Sequence, residues 1–147
     1  MFKRILLPTD GSQGASEALN CATAIARKFD SELEVVFVTE PHLMLTAPYS
    51  ESILMDALQA TREEGENVLA QATETARQSG IDQVKSAMLE GHPAEEIVRY
   101  AREHQMDIII MGTHGRRGIN RMLLGSIAEE VVRTASMPVM TVRVSGG

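Results

Sequence analysis

The 147-residue chain has no tryptophan, one cysteine, three phenylalanines and two tyrosines. So few aromatic rings leave it without the stacking platforms on which single-stranded nucleic acid is held. The core must therefore be aliphatic. Cys21 has no second thiol to pair with, which excludes an internal disulfide and a secreted, disulfide-held scaffold. A reducing cytoplasm is the expected compartment. Cys21 also lacks the companions of a thiolate metal site, and its plain reading is a small residue packing on a helix. Long apolar runs are missing too. The start, MFKRILLPTD, sets two basic residues before only three apolar ones, too few for a secretory signal. No stretch approaches the roughly 20 residues of a membrane span, so direct membrane insertion is not expected. Basic residues are outnumbered, 14 against 20 acidic, for a formal charge of -6. Such a chain is poorly suited to coat nucleic acid or anionic lipid, although one local site can still take an anion.

What is present is enough apolar material for one domain. Hydrophobic residues make up 44% of the chain. A domain of this length buries roughly 68–70% of its unfolded surface, so neither disulfides nor a structural metal are needed.

There is no linker, repeat or low-complexity tract. Instead, two periodicities alternate. Residues 3–8 (KRILLP) form a short apolar run closed by Pro8, Asp10 and Gly11, which predicts a buried strand and a turn. Residues 12–29 place Ala15, Leu19, Ala22, Ile25, Ala26 and Phe29 at helical spacing behind Ser12, an apt N-cap. Residues 32–39 (ELEVVFVT) predict a second strand. Residues 40–50, with Pro41 and Pro48, read as a long connection. Residues 51–79, rich in Ala, Glu, Gln and Leu, predict the longest helix, with Gly65 as a weak point. Residues 83–89 (QVKSAML) predict a third strand. Gly91 then turns the chain into a helix from Pro93 to about His104. Residues 107–112 (DIIIMG) form the most apolar strand. After a loop at 113–124, Ser126 and Glu129 match a capping box that opens a helix to about Thr134. Residues 138–144 (PVMTVRV) predict the last strand.

Strands separated by helices lie parallel through right-handed crossovers. The expected architecture is α/β, a single-domain doubly wound open sheet of five parallel strands with helices on both faces. Ligands of such sheets sit beyond the carboxyl ends of the strands, where the strand order reverses. Two loops carry suitable chemistry. One is Pro8 to Ser12. The other, MGTHGRRGINRMLLGS, contains Gly112, Gly115, Gly118 and Gly125, three arginines and His114, and has no acid between Met111 and Ser126. Glycines let main-chain N–H groups approach an anion, and the helix that follows presents free donors at its positive end. The spacing is neither the Walker A form nor G-x-G-x-x-G. A flexible turn with solvated arginines is the plainer reading of this loop. Glu129 and Glu130, in the first turn of the helix, oppose an anion there. Asp10 suits a ribose or an exocyclic amine, and equally a turn. His42, His92 and His104 are scattered in sequence and show no metal-ligand pattern. His92 reads as a helix-entry residue.

Through these residues the chain resembles the universal stress protein superfamily, in its ATP-binding branch, over essentially its whole length. The motif that carries the resemblance is G-x2-G-x9-G-[ST], met without a break by Gly112, Gly115 and Gly125-Ser126. The resemblance implies the strand order 3-2-1-4-5, which brings both loops to one crevice. It implies Pro8, Thr9 and Asp10 at the adenine or ribose end. Val38 would hold adenine through its main chain, and Met111 and Gly112 would lie beside the ribose. His114 and Gly115, with Arg116 next to them, would open the phosphate loop. Gly125, Ser126 and Ile127 would bind phosphates at the helix start. The implied cofactor is ATP, with ADP and AMP as alternatives. Mg or Mn is compatible with the phosphates, although no carboxylate is clearly placed for a metal. Phe37 stands where many relatives have histidine. Its side chain should face a packed side of the sheet, so the departure should matter little.

In that order, residues 138–144 form an apolar edge without lysine, which invites pairing. The resemblance favours a homodimer built by antiparallel pairing of this strand across a two-fold axis. Higher association is left open. The leading functional expectation is an ATP-binding regulatory protein acting in a stress response or with a membrane transporter. The alternative is a slow ATPase or phosphoryl transferase at the same site. No catalytic residue and no protein metal ligand is assigned. A third reading, an interaction module with a vestigial site, is opposed by the intact glycine spacing. Charge divides along the chain: residues 1–110 carry 9 basic and 18 acidic residues, while residues 111–147 carry 5 and 2. The acidic protein is locally basic where a phosphate would sit.

Overall fold

Each strand of a parallel sheet must return through a crossover, and here every crossover contains a helix. The structure is a computed structural model that describes residues 1–46, 48–114 and 124–144. In chain order the elements are β1 (Arg4–Pro8), α1 (Gln13–Phe29), β2 (Glu32–Thr39), α2 (Pro41–Leu45), α3 (Glu51–Gln78), β3 (Val84–Glu90), α4 (Pro93–Glu103), β4 (Ile108–Gly112), α5 (Ser126–Thr134) and β5 (Val139–Val142). The strands form one parallel sheet of order β3-β2-β1-β4-β5. Among the described residues no helix is long and apolar enough to cross a membrane.

Strand residues alternate between the two faces and so build two cores. Ile5, Leu7, Leu33, Val35, Phe37 and Ile110 meet α1 and α3 on one face. Leu6, Val36, Ile109 and Met111 meet α4 and α5 on the other. Phe37 is buried as expected.

Three sequence expectations are corrected. The 40–50 connection contains a short helix, α2, begun by Pro41 at its first turn. α3 runs unbroken through Gly65 because the missing side chain is what the packing needs. A Cβ there would lie 2.8 Å from the sulfur of Met88 and from the Phe37 ring. β5 has four residues, not the seven of 138–144. Its partner β4 ends at Gly112, opposite Val142, so Arg143 and Val144 have no strand beside them. β5 does lie at the sheet edge.

Candidate nucleotide-binding crevice

The strand order reverses between β1 and β4, and both rim loops begin there. β1 ends at Pro8, opposite Val36, while β2 continues to Thr39. In a parallel ladder the N–H and C=O of one residue point to the same neighbouring strand, and this direction alternates along the chain. The Val36 carbonyl accepts from Thr9 on the β1 side at 2.9 Å, and the Thr39 carbonyl accepts from Gly91 on the β3 side at 2.9 Å. Val38 therefore turns its main-chain groups toward the β1 side, past the end of β1 and into the crevice.

After Pro8 the chain makes a tight turn. Gly11 takes a φ of 80°, a region that favours glycine. Asp10 Oδ1 accepts from the Ser12 N–H at 2.9 Å, and Ser12 Oγ accepts from the Ala15 N–H at 3.2 Å. Asp10 thus makes the Asx turn, and the same bond fixes its carboxylate at the rim. Ser12 caps α1 as expected.

The first turn of α1 crosses the end of β4 with no room for side chains between them. A Cβ on Gly112 would lie 2.8 Å from the Gly14 carbonyl carbon, and one on Gly14 would lie 2.6 Å from the His114 carbonyl oxygen. Gly14 was not among the expected site residues. A glycine inside a strongly helical pattern was its signal in the sequence. Met111 is buried in the core on the α4 and α5 face, so its side chain belongs to the core rather than to the crevice.

Thr113, also unforeseen, gathers the rim. It is buried. Its N–H donates to the Val142 carbonyl at 3.0 Å, and its carbonyl accepts from Gly125 N–H at 2.8 Å. Its hydroxyl lies 3.2 Å from His114 Nδ1. A Cβ on Gly125 would come within 2.9 Å of the Thr113 carbonyl oxygen, which explains the glycine there. Gly115 and Arg116, expected to join the site, lie outside the described residues.

The capping-box expectation is corrected at α5. Gly125, not Ser126, is the N-cap, with no side-chain cap, and Ser126 is the first helical residue. The box fails because the glycine must sit against Thr113, which moves the cap one residue back. With the Gly125 N–H given to Thr113, the main-chain donors left at the helix start are those of Ala128 and, nearer its tip, Ser126 and Ile127. Ser126 and Ile127 are exposed. Glu129 lies 3.8 Å from Arg133 one turn on, which offsets part of its charge. Among the described residues no group of three His, Cys, Asp or Glu is placed to hold a metal ion. His42 and His92, far apart in sequence, bring their rings to 4.4 Å.

The chain matches the profile of the universal stress protein family over residues 1–143. It belongs to that family. Universal stress protein MJ0531 of Methanocaldococcus jannaschii is 39% identical over 145 residues, which covers 97% of this chain and 83% of the relative. The solved structure of MJ0577 superposes with a TM-score of 0.86 at 31% identity, over 100% of this chain and 99% of that one. A universal stress protein from Archaeoglobus fulgidus, solved in complex with dAMP, has the same fold. Its TM-score is 0.73 at 22% identity, over 97% of this chain and 100% of that one. The sheet order and surrounding helices are those of this family's α/β fold.

Away from the crevice, this universal stress protein has an open cavity of about 490 Å³ at the amino ends of the strands, lined by Lys3, Arg4, Asp30, Glu32, Gln83 and Lys85. Arg4 lies 3.5 Å from both Glu32 and Glu34. Lys3 donates to the Phe29 carbonyl at 3.5 Å. Of the three cations that line this cavity, Arg4 lies beside carboxylates and Lys3 beside a main-chain carbonyl.

Proposed function

We propose that this protein binds an adenine nucleotide, ATP foremost with ADP and AMP as alternatives, in the crevice between β1 and β4. The observation that carries the reading is the intact series Gly112, Gly115, Gly125-Ser126, whose described glycines, Gly112 and Gly125, are packed against main chain at the site. The dAMP complex of a protein with the same fold supports the ligand class. Val38 would meet the adenine through its main chain. Pro8, Thr9 and Asp10 would flank the base and ribose, with Gly112 beside them. Ser126 and Ile127 would give N–H donors to the phosphates, assisted by His114, Gly115 and Arg116. Mg or Mn, if bound, would neutralise phosphate charge and be held mainly by the phosphates. Titrating ATP with magnesium should raise the thermal midpoint progressively by mass action. An unchanged midpoint at millimolar ATP sinks the reading.

The nucleotide signal would be read by a homodimer formed through β5, acting in a stress response and on a protein partner such as a transporter. Parity supports the pairing. Pro138 and Val142 give their carbonyls to Ile109 and Thr113 of the β4 side. Val139 and Thr141 therefore direct their main-chain groups outward, toward a free edge. Thr141→Pro deletes one outward N–H and leaves the β4 ladder intact. It should turn a dimer into a monomer in sedimentation velocity, and a variant still dimeric places the interface elsewhere.

A further inference from the structure

The Thr113 hydroxyl decides which nitrogen of the His114 ring carries its proton. Both main-chain groups of Thr113 are spent, the N–H on the Val142 carbonyl and the carbonyl on the Gly125 N–H. Thr113 is only 5% exposed, so its hydroxyl depends on a partner within the chain. Among the described residues that partner is Nδ1 of His114, at 3.2 Å, and no other. A hydroxyl can donate or accept, but only one direction satisfies it here. A proton on Nδ1 would be donated to the hydroxyl oxygen, and the buried O–H would then have nowhere to give its own hydrogen. When the hydroxyl donates, Nδ1 accepts and the ring proton sits on Nε2.

The rest of His114 is placed by two glycines. A Cβ on Gly14 would lie 2.6 Å from the His114 carbonyl oxygen, so the main chain there rests on the first turn of α1. The ring's Cδ2 would lie 3.6 Å from a Cβ on Gly125, the N-cap of α5. A capping side chain begins at that Cβ and gives the first-turn N–H groups an acceptor. Glycine gives none. The ring edge that lies there runs from Cδ2 to Nε2, whose N–H is one more donor. Among the described residues Nε2 has no partner. A helix start joined by a further N–H suits an anion. We infer that Thr113 is a positioning residue: its hydroxyl fixes His114 as the Nε2–H tautomer and aims that neutral N–H, beside the start of α5, at a phosphate of the nucleotide. The aim rests on the nucleotide reading proposed above, whereas the tautomer is set by the chain alone.

Two measurements on the full-length protein test the tautomer and the aim separately. In the ligand-free protein at pH 8, the nitrogen-15 shifts of the His114 ring, assigned by their loss in His114→Gln, should show Nε2 protonated and Nδ1 bare. Thr113→Val keeps the shape of the side chain and removes the hydroxyl. It should move both shifts toward the average of the two tautomers, and Thr113→Ser should restore the parent pattern. A parent protonated on Nδ1, or a valine variant with the parent's shifts, overturns the inference. For the aim, ATP with magnesium and adenosine are each titrated in calorimetry. Thr113→Val should weaken ATP by roughly five- to tenfold and leave adenosine, which has no phosphate, within about twofold. Thr113→Ser should bind both like the parent, within about twofold. Equal losses for ATP and adenosine would mean that valine only disturbs the rim, and unchanged ATP affinity would mean that His114 does not need the hydroxyl. Each of these results overturns the inference. A parent that binds neither ligand sinks the nucleotide reading and the aim with it, while the ring shifts still uphold or overturn the fixed tautomer.

Discussion

The two ends of the same five strands handle charge in opposite ways. At the amino ends the chain answers its own charges. Arg4 lies 3.5 Å from two carboxylates, and its N–H donates to Asp107 at 2.9 Å. The buried Glu34 accepts from the Tyr100 hydroxyl at 2.6 Å. At the carboxyl ends the rim is made of glycines packed on main chain, a helix start without a side-chain cap, and a segment from 112 to 125 that contains arginines and no acid. One end pairs charges within the chain, although Arg4 Nε is buried there without a hydrogen bond among the described residues. The other has a helix start whose N-cap, Gly125, offers no side-chain acceptor.

This contrast can be broken by substitution. The largest effect is expected at the carboxyl rim from Gly112→Ala. Its Cβ would meet Gly14 main chain at 2.8 Å, which cannot rotate away. Overpacking of this kind costs about 1–3 kcal/mol. Displacing the rim should also weaken ATP more than tenfold in calorimetry, so retained affinity would show that the Gly14–Gly112 contact does not shape the site. Tyr100→Phe comes next. It leaves Glu34 buried without its short hydrogen bond, and urea unfolding should show a loss of about 1–3 kcal/mol. Nucleotide affinity should not change; a loss would mean that the two ends are coupled. Burial, and then the bond to Glu34 and its negative charge, push the Tyr100 hydroxyl above its ordinary value of about 10. Tyr100 therefore contributes its full stability below pH of about 10 and loses it as pH rises through the raised value. The phenylalanine variant should show a shallower alkaline decline. The smallest effect is expected from Glu129→Gln at the start of α5. Removing a charge that opposes an anion there should tighten ATP by about two- to fivefold at low salt, roughly 0.3–1 kcal/mol, and the gain should fade as salt is added.

Much of this contrast could be read from residue order, and some of it could not. Helical and strand periodicities located β1 to β4, α1 and α3 to within a residue or two, because those patterns report burial by faces that the element itself defines. The adjacency of β1 and β4 came from family resemblance, since periodicity says nothing of which strands are neighbours. Gly14 and Thr113 carry no local signal of their role, because the main chain that Gly14 packs on is 98 or more residues away and the main-chain partners of Thr113 are 12 or more away in sequence. Glu34 lies inside the strand pattern of residues 32–39, which says nothing of a partner for its carboxylate. Its burial depends on Tyr100, 66 residues on. The capping box at Ser126 failed for a similar reason: a local motif matched, but contact with Thr113 placed Gly125 at the cap instead.

Thr113 and Gly125 hydrogen-bond across a gap of eleven intervening residues, 114–124. They make a stem, and a stem separates the length and composition of what it carries from the sheet below. Doubling the number of residues between two joined points costs only about 0.6 kcal/mol more. The carboxyl rim is therefore a socket for exchange of parts. Replacing residues 115–123 with segments of other chemistry should alter what is bound while the fold, from Thr113 inward, melts as before.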